Sequence, residues 1–215
     1  MILHHPGIIR DLADLIVSRI ETSRKTFAVA IAGESGSGKT ELASALLKEL
    51  STSGIRTLVL HQDDYFVLPP KTNEAMRRKD IGRVGMGEVQ LALLDQHLGE
   101  IKEGKKEITM PRMIFDENRA DEETMDIDGV QAVIVEGTYT TTLRNLDLRV
   151  FIDRTYLQTR NARRLRARET QDEFLERVLE IEHGIISRHK ASADIVVRAV
   201  VPPLVKGDAG GFQIR

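Results

Sequence analysis

An α/β fold is predicted by three observations along the chain. Apolar runs of strand length at 27–32, 55–60, 129–137 and 146–153 alternate with segments of helical periodicity, the pattern of α/β domains. The segment Gly33-Glu34-Ser35-Gly36-Ser37-Gly38-Lys39-Thr40 fits G-x-x-x-x-G-K-[ST] without a mismatch, and it sits between the first run and a helical stretch. Two later runs end in carboxylates, at Asp63-Asp64 and at Glu136, where open α/β sheets bind ligands.

Taken in order, residues 1–25 read as an N-terminal amphipathic helix. Ile8, Ile9, Leu12, Leu15, Ile16, Val17 and Ile20 recur at i, i+3, i+4 spacing and would pack on the edge of the core. His4 and His5 before it are either solvated or a metal site, the former being commoner at a terminus. Phe27–Ala32 is the first strand. In the loop that follows, Gly33, Gly36 and Gly38 let the backbone curl until successive N–H groups point inward. The next helix adds the partial positive charge of its N-terminus. Lys39 is placed to reach β- and γ-phosphates, and the Thr40 hydroxyl to coordinate Mg²⁺. Leu42, Ala43, Ala45, Leu46, Leu47 and Leu50 carry the helix, and Ser51-Thr52-Ser53-Gly54 stops it.

Ile55–Leu60 is the second strand and runs into His61-Gln62-Asp63-Asp64-Tyr65-Phe66. One of the two aspartates could accept a proton from a substrate hydroxyl, and the alternative for either is a turn or helix-cap carboxylate. Residues 68–87, with Arg77-Arg78-Lys79 and Arg83, read as a long mobile excursion whose charges are either a solvated face or a ligand site. Gly87–Ile101 returns to helical spacing. Lys105–Arg112 and Thr124–Ile127 read as two short strands of a small hairpin. Gly129–Gly137 is the third strong strand, and Glu136 at its end can hold Mg²⁺ directly or through water. Leu146–Asp153 is a fourth.

The following helix carries Arg154, Arg160, Arg163, Arg164, Arg166 and Arg168. A triphosphate would supply their counter-charge. The alternatives are a solvated basic helix, an RNA-binding stripe, or neutralisation by Glu169, Asp172, Glu173 and Glu176 nearby. Residues 173–188 form another helix, 194–197 a last strand, and 199–215 a loose tail.

The 215 residues suit one domain spanning 1–215. A net charge of −2 gives no global electrostatic case for nucleic acid or an anionic membrane, and zero cysteines exclude disulfides and thiol chemistry. No apolar run approaches the roughly 18 residues of a membrane span. Residues 1–25 lack the basic-then-apolar pattern of a leader, so a cytoplasmic location is expected.

Between residues 27 and 198 the chain resembles the uridine kinase/phosphoribulokinase family of phosphate-loop (P-loop) kinases. The resemblance rests on Gly33–Thr40, Gln62-Asp63-Asp64-Tyr65-Phe66, Val135-Glu136-Gly137, the arginines after Asp153, and Ala193-Asp194-Ile195-Val196-Val197. It implies a P-loop NTPase fold with a parallel β-sheet flanked by helices, a small substrate lobe and an arginine-rich lid. It also implies ATP and Mg²⁺ as cofactors and a small-molecule hydroxyl as acceptor. Residues Gly33 to Thr40 and Arg160 would bind the nucleotide, and Thr40 and Glu136 the metal. Lys39, Asp63, Arg163 and Arg164 would be catalytic, with Asp63 at the family's base position and Asp64 where uridine kinases carry serine. On the acceptor side the candidates are Asp63, Tyr65, Arg83, Arg112 and Arg119. Uridine kinases carry Pro-x-Tyr-Asp and then a histidine in the substrate lobe. Here Pro111-Arg112-Met113-Ile114-Phe115-Asp116 has neither that tyrosine nor that histidine, so an anionic acceptor is expected rather than uridine. The rival reading is a regulatory NTP-binding module; a P-loop NTPase acting on RNA would need a basic surface. A homo-oligomer is left open.

Overall fold

The structure, a computed structural model, describes residues 6–166 and 172–198. Five strands form one sheet: β1 (Phe27–Gly33), β2 (Thr57–His61), β5 (Ala132–Gly137), β6 (Leu148–Asp153) and β7 (Ile195–Arg198). Their order is β2-β5-β1-β6-β7, with every pairing parallel. All residues of β1 and β5 are buried. That explains why these two stretches read as continuous apolar runs rather than alternating ones.

The alternation inside β1 sorts the two helical layers. Phe27, Val29 and Ile31 face α1 (Pro6–Ser23) and α2 (Lys39–Thr52), packing with Leu12, Ile16, Leu42, Leu46 and Leu50. The small side chains Ala28, Ala30 and Ala32 face the opposite layer. There α4 (Leu91–Lys102) contributes Leu94, Leu98 and Ile101, and α6 (Glu173–His189) contributes Ile186. Helix α1 buries Ile16 completely and so belongs to the core.

Two regions differ from the expectation. Residues 68–87 are not a structureless excursion, since α3 (Pro70–Lys79) occupies their first half. Pro70 stands at the N-terminus, where its fixed φ and missing N–H cost nothing. Arg77, Arg78 and Lys79 lie in the last turn, where the helix dipole favours cations. The hairpin is longer than its apolar signal, with β3 (Glu107–Ile114) pairing antiparallel to β4 (Arg119–Asp126). β4 is exposed at every position but one, so no hydrophobic alternation marks it. The arginine-bearing helix α5 (Tyr156–Arg166) follows β6. The candidate metal residues His4 and His5 and the tail at 199–215 lie outside the described residues. Among the described residues, no helix is long and apolar enough to cross a membrane.

Candidate active site

The loop between β1 and α2 is held in place from behind. Gly36 is at φ +74°, and a Cβ there would meet Arg163 Cγ at 2.9 Å and Thr159 Cβ at 3.2 Å. Only glycine fits that conformation and that gap. Thr159 Oγ1 also donates to the Ser35 carbonyl at 2.8 Å. Helix α2 starts on Gly38 at φ +106° with no side-chain cap. A helix that starts without a side-chain cap suits an anion at its N-terminus. Lys39 Nζ spans the loop to the Glu34 carbonyl at 3.0 Å. The Ser37 hydroxyl is fully buried and has no hydrogen-bond partner among the described residues. Helix N-terminus, glycine cradle and lysine together suit a polyphosphate.

The ends of β2 and β5 meet this loop. Thr40 Oγ1 donates to Glu136 Oε1 at 3.1 Å, and His61 Nδ1 lies 2.8 Å from the same oxygen. Burial opposes the ionisation of Glu136 most strongly. The hydrogen bond from His61, the Lys39 charge, the His61 charge and the Thr40 hydroxyl outweigh it and hold the carboxyl below its ordinary range. The bond to Glu136 in turn raises His61 above its usual value against the effect of burial, and Asp64 and Asp63 add to the rise. A threonine oxygen beside an ionised carboxylate is a donor set for a hard cation that keeps part of its water. Thr40 and Glu136 thus fit Mg²⁺. Among the described residues, no cluster of three or more His, Asp or Glu forms a separate cage.

The two aspartates of the 62–65 turn separate. Asp63 is exposed. Asp64 is buried, accepts the Met113 N–H at 2.9 Å and lies 3.5 Å from Arg112 Nη1. It clamps the hairpin to the end of β2. Gln62 has a structural task that sequence reasoning missed. Its Oε1 accepts the Tyr139 N–H at 2.7 Å, and its side chain packs so closely on Gly137 that a Cβ there would lie 2.3 Å away.

The arginine helix meets local carboxylates. Arg160 Nε is 3.3 Å and Arg163 Nη2 3.5 Å from Glu176 Oε1 on α6. Arg160 is half exposed. Arg163 is buried and bonds the Tyr156 carbonyl and Thr159 Oγ1. Arg163, expected as a catalytic phosphate contact, thus has its guanidinium against the back of the phosphate loop in this arrangement. The Arg164 side chain lies outside the described residues. Glu34 also departs from expectation at its side chain. Oε2 accepts the Tyr156 N–H at 2.5 Å and Oε1 meets His183 Nδ1 at 2.7 Å, so the carboxylate ties the loop to α5 and α6.

On the acceptor side, Tyr65 is fully buried with its hydroxyl 2.8 Å from His97 Nδ1. Tyr65, expected as a substrate contact, is thus placed with ring and hydroxyl in the core. Arg83 is exposed. Arg119 is chelated by Glu117 and Asp121, each at 2.6 Å, within its own hairpin. A cluster without a sequence signal lies between α3 and α6. Arg77 donates to Glu88 at 2.6 and 2.8 Å and to Glu182 at 3.1 Å, and Asn73 and the Gly85 N–H complete Glu88. Burial works hardest against the Arg77 charge, but its bonds to Glu88 and the nearby carboxylate charges more than restore it.

Comparison with known proteins agrees with this geometry. The profile of the Phosphoribulokinase / Uridine kinase family matches residues 28–201. The chain is 30% identical over 183 residues to the bifunctional alpha-galactosidase/sucrose kinase AgaSK of Mediterraneibacter gnavus, a match covering 79% of this chain and 20% of that much longer protein. It is 28% identical over 189 residues to a uridine kinase of Macrococcus caseolyticus, covering 80% of this chain and 88% of the relative. The fold is similar to D-glycerate 3-kinase from Cryptococcus neoformans, with a TM-score of 0.60 and 15% identity over 89% of this chain and 94% of that one.

Proposed function

The chain belongs to the Phosphoribulokinase / Uridine kinase family, and from that premise we propose that it transfers the γ-phosphoryl group of ATP to a hydroxyl of a neutral, polyhydroxylated small molecule. The observation that carries the transfer is the convergence of Lys39, Thr40 and Glu136 on one loop, with Asp63 exposed at the end of the neighbouring strand. The loop N–H groups and Lys39 would hold the phosphates and take up charge developing on the transferring group. Thr40 and Glu136 would hold Mg²⁺, which when bound neutralises phosphate charge. Asp63 would orient the acceptor hydroxyl and receive its proton. Arg160, half exposed on α5, is the arginine best available to a nucleotide, and α5 with the β3–β4 hairpin would act as lid and acceptor lobe.

The acceptor class follows from ion pairing. Arg112 is matched by Asp64 and Glu123, and Arg119 by Glu117 and Asp121. An acceptor carboxylate or phosphate would have to displace these partners. A neutral polyol needs only the hydrogen bonds they offer, and the sucrose kinase relative supports that class. This revises the expectation of an anionic acceptor.

A coupled ADP-release screen across sugars, nucleosides, sugar phosphates and hydroxy acids tests both statements. We expect the best turnover among the sugars. Lys39→Ala should lower it by about 10²- to 10³-fold with an unchanged circular dichroism spectrum. Turnover that survives Lys39→Ala would sink the kinase reading, and preference for an acidic acceptor would sink the class.

A further inference from the structure

In the β2–β5 pairing, His61 stands in register with Glu136. Neighbours in register on parallel strands project from the same face, so the two side chains leave the sheet together at its C-terminal edge. Their contact is 2.8 Å, from His61 Nδ1 to Glu136 Oε1. The Thr40 hydroxyl donates to that same oxygen from the first turn of α2. Two groups from different elements thus converge on Oε1, and Oε2 has no hydrogen bond to any described residue. A carboxylate pinned by one oxygen is fixed in orientation while its other oxygen stays available.

We propose that His61 is a positioning residue, holding Glu136 so that the uncommitted oxygen serves a divalent cation bound with the nucleotide. This inference rests on the kinase reading of the same site. Groups that orient a metal-associated carboxylate govern cation affinity although they never touch the ion. The alternative is an ordinary ion pair with no task. The His61 side chain is 38% exposed but that of Glu136 only 8%, so even a pair with no task at the cation would lower stability when removed, because a buried carboxylate loses a partner. The two cases separate at the cation: loss of a merely structural pair lowers stability and leaves cation affinity of the folded protein alone, whereas loss of a positioning residue weakens the cation in protein that is still folded.

The test uses the full chain with His61→Leu, which removes the contact, and His61→Asn, whose amide nitrogen can stand near the place of Nδ1. Mn²⁺ binding to the ADP complex is read by electron paramagnetic resonance without acceptor, alongside Mg²⁺ dependence of turnover and thermal melting. His61→Leu should weaken Mn²⁺ binding about tenfold or more, and raise the Mg²⁺ needed for half-maximal turnover, in protein that melting shows to be folded and at an unchanged acceptor KM. His61→Asn should recover most of the loss. Wild-type Mn²⁺ affinity in His61→Leu, no recovery in His61→Asn, or an effect confined to acceptor KM would each overturn the proposal. So would a wild-type ADP complex that binds no Mn²⁺. A wild-type protein that binds Mn²⁺ with ADP but turns over no acceptor would instead remove the kinase reading, leaving the Mn²⁺ comparison to decide the role of His61.

Discussion

Adjacent aspartates at the end of β2 have opposite surroundings, and the difference separates what their replacement should do. Asp64 is buried and satisfied by Met113 and Arg112, so Asp64→Asn should cost about 1–3 kcal/mol of stability by urea unfolding. Asp63 is exposed, and Asp63→Asn should leave unfolding unchanged while lowering kcat about a hundredfold or more. ATP KM should barely move. If Asp64→Asn proved the more damaging to kcat in protein that is still folded, the two roles would be exchanged. At this scale the phosphate loop was legible because its motif is local, with every residue within eight positions. The pairing of Glu34 with His183 spans 149 positions and that of His61 with Glu136 spans 75. No local pattern marks either. His61 becomes visible only once β2 is known to lie beside β5.

Among the elements, the strands of the parallel sheet announce themselves because both their faces are buried. β4 and α3 do not, since each is largely exposed and polar. What fixes α3 is chemistry with distant residues. Arg77 meets Glu88 and Glu182, and Arg78 pairs with Asp172 and lies 4.5 Å over the Phe174 ring. Glu88 is 4% exposed, so removing Arg77 would strand a buried negative charge. Arg77→Met should destabilise the protein by about 3–5 kcal/mol. Adding Glu88→Gln to it should return part of that loss, because the stranded charge is then gone. A single-variant loss below about 1 kcal/mol in urea unfolding would mean that the cluster is wet and weak.

For the whole molecule, the parallel sheet was implied by resemblance rather than by any residue, and neither its strand order nor the role of α6 was legible. Its contacts reach three other parts of the structure. Glu176 meets Arg160 and Arg163 on α5, Glu182 meets Arg77 on α3, and His183 meets Glu34 in the phosphate loop. Glu182 and His183 are neighbours in sequence, so a shift of the loop, were phosphate to cause one, would reach α3 through a single turn of helix. Two sites sharing one rigid element are coupled to the extent that a ligand favours one of its positions. ADP with Mg²⁺ should therefore slow hydrogen exchange in residues 70–79 as well as in residues 33–40. His183→Phe keeps a ring against Tyr156, whose centroid lies 5.6 Å from that of His183, but removes the bond to Glu34. In that variant the loop should still be protected by ADP, while the added protection of α3 should fall to within error of zero. Equal protection of α3 in both proteins would show that the loop and α3 communicate by another route, or through the nucleotide itself.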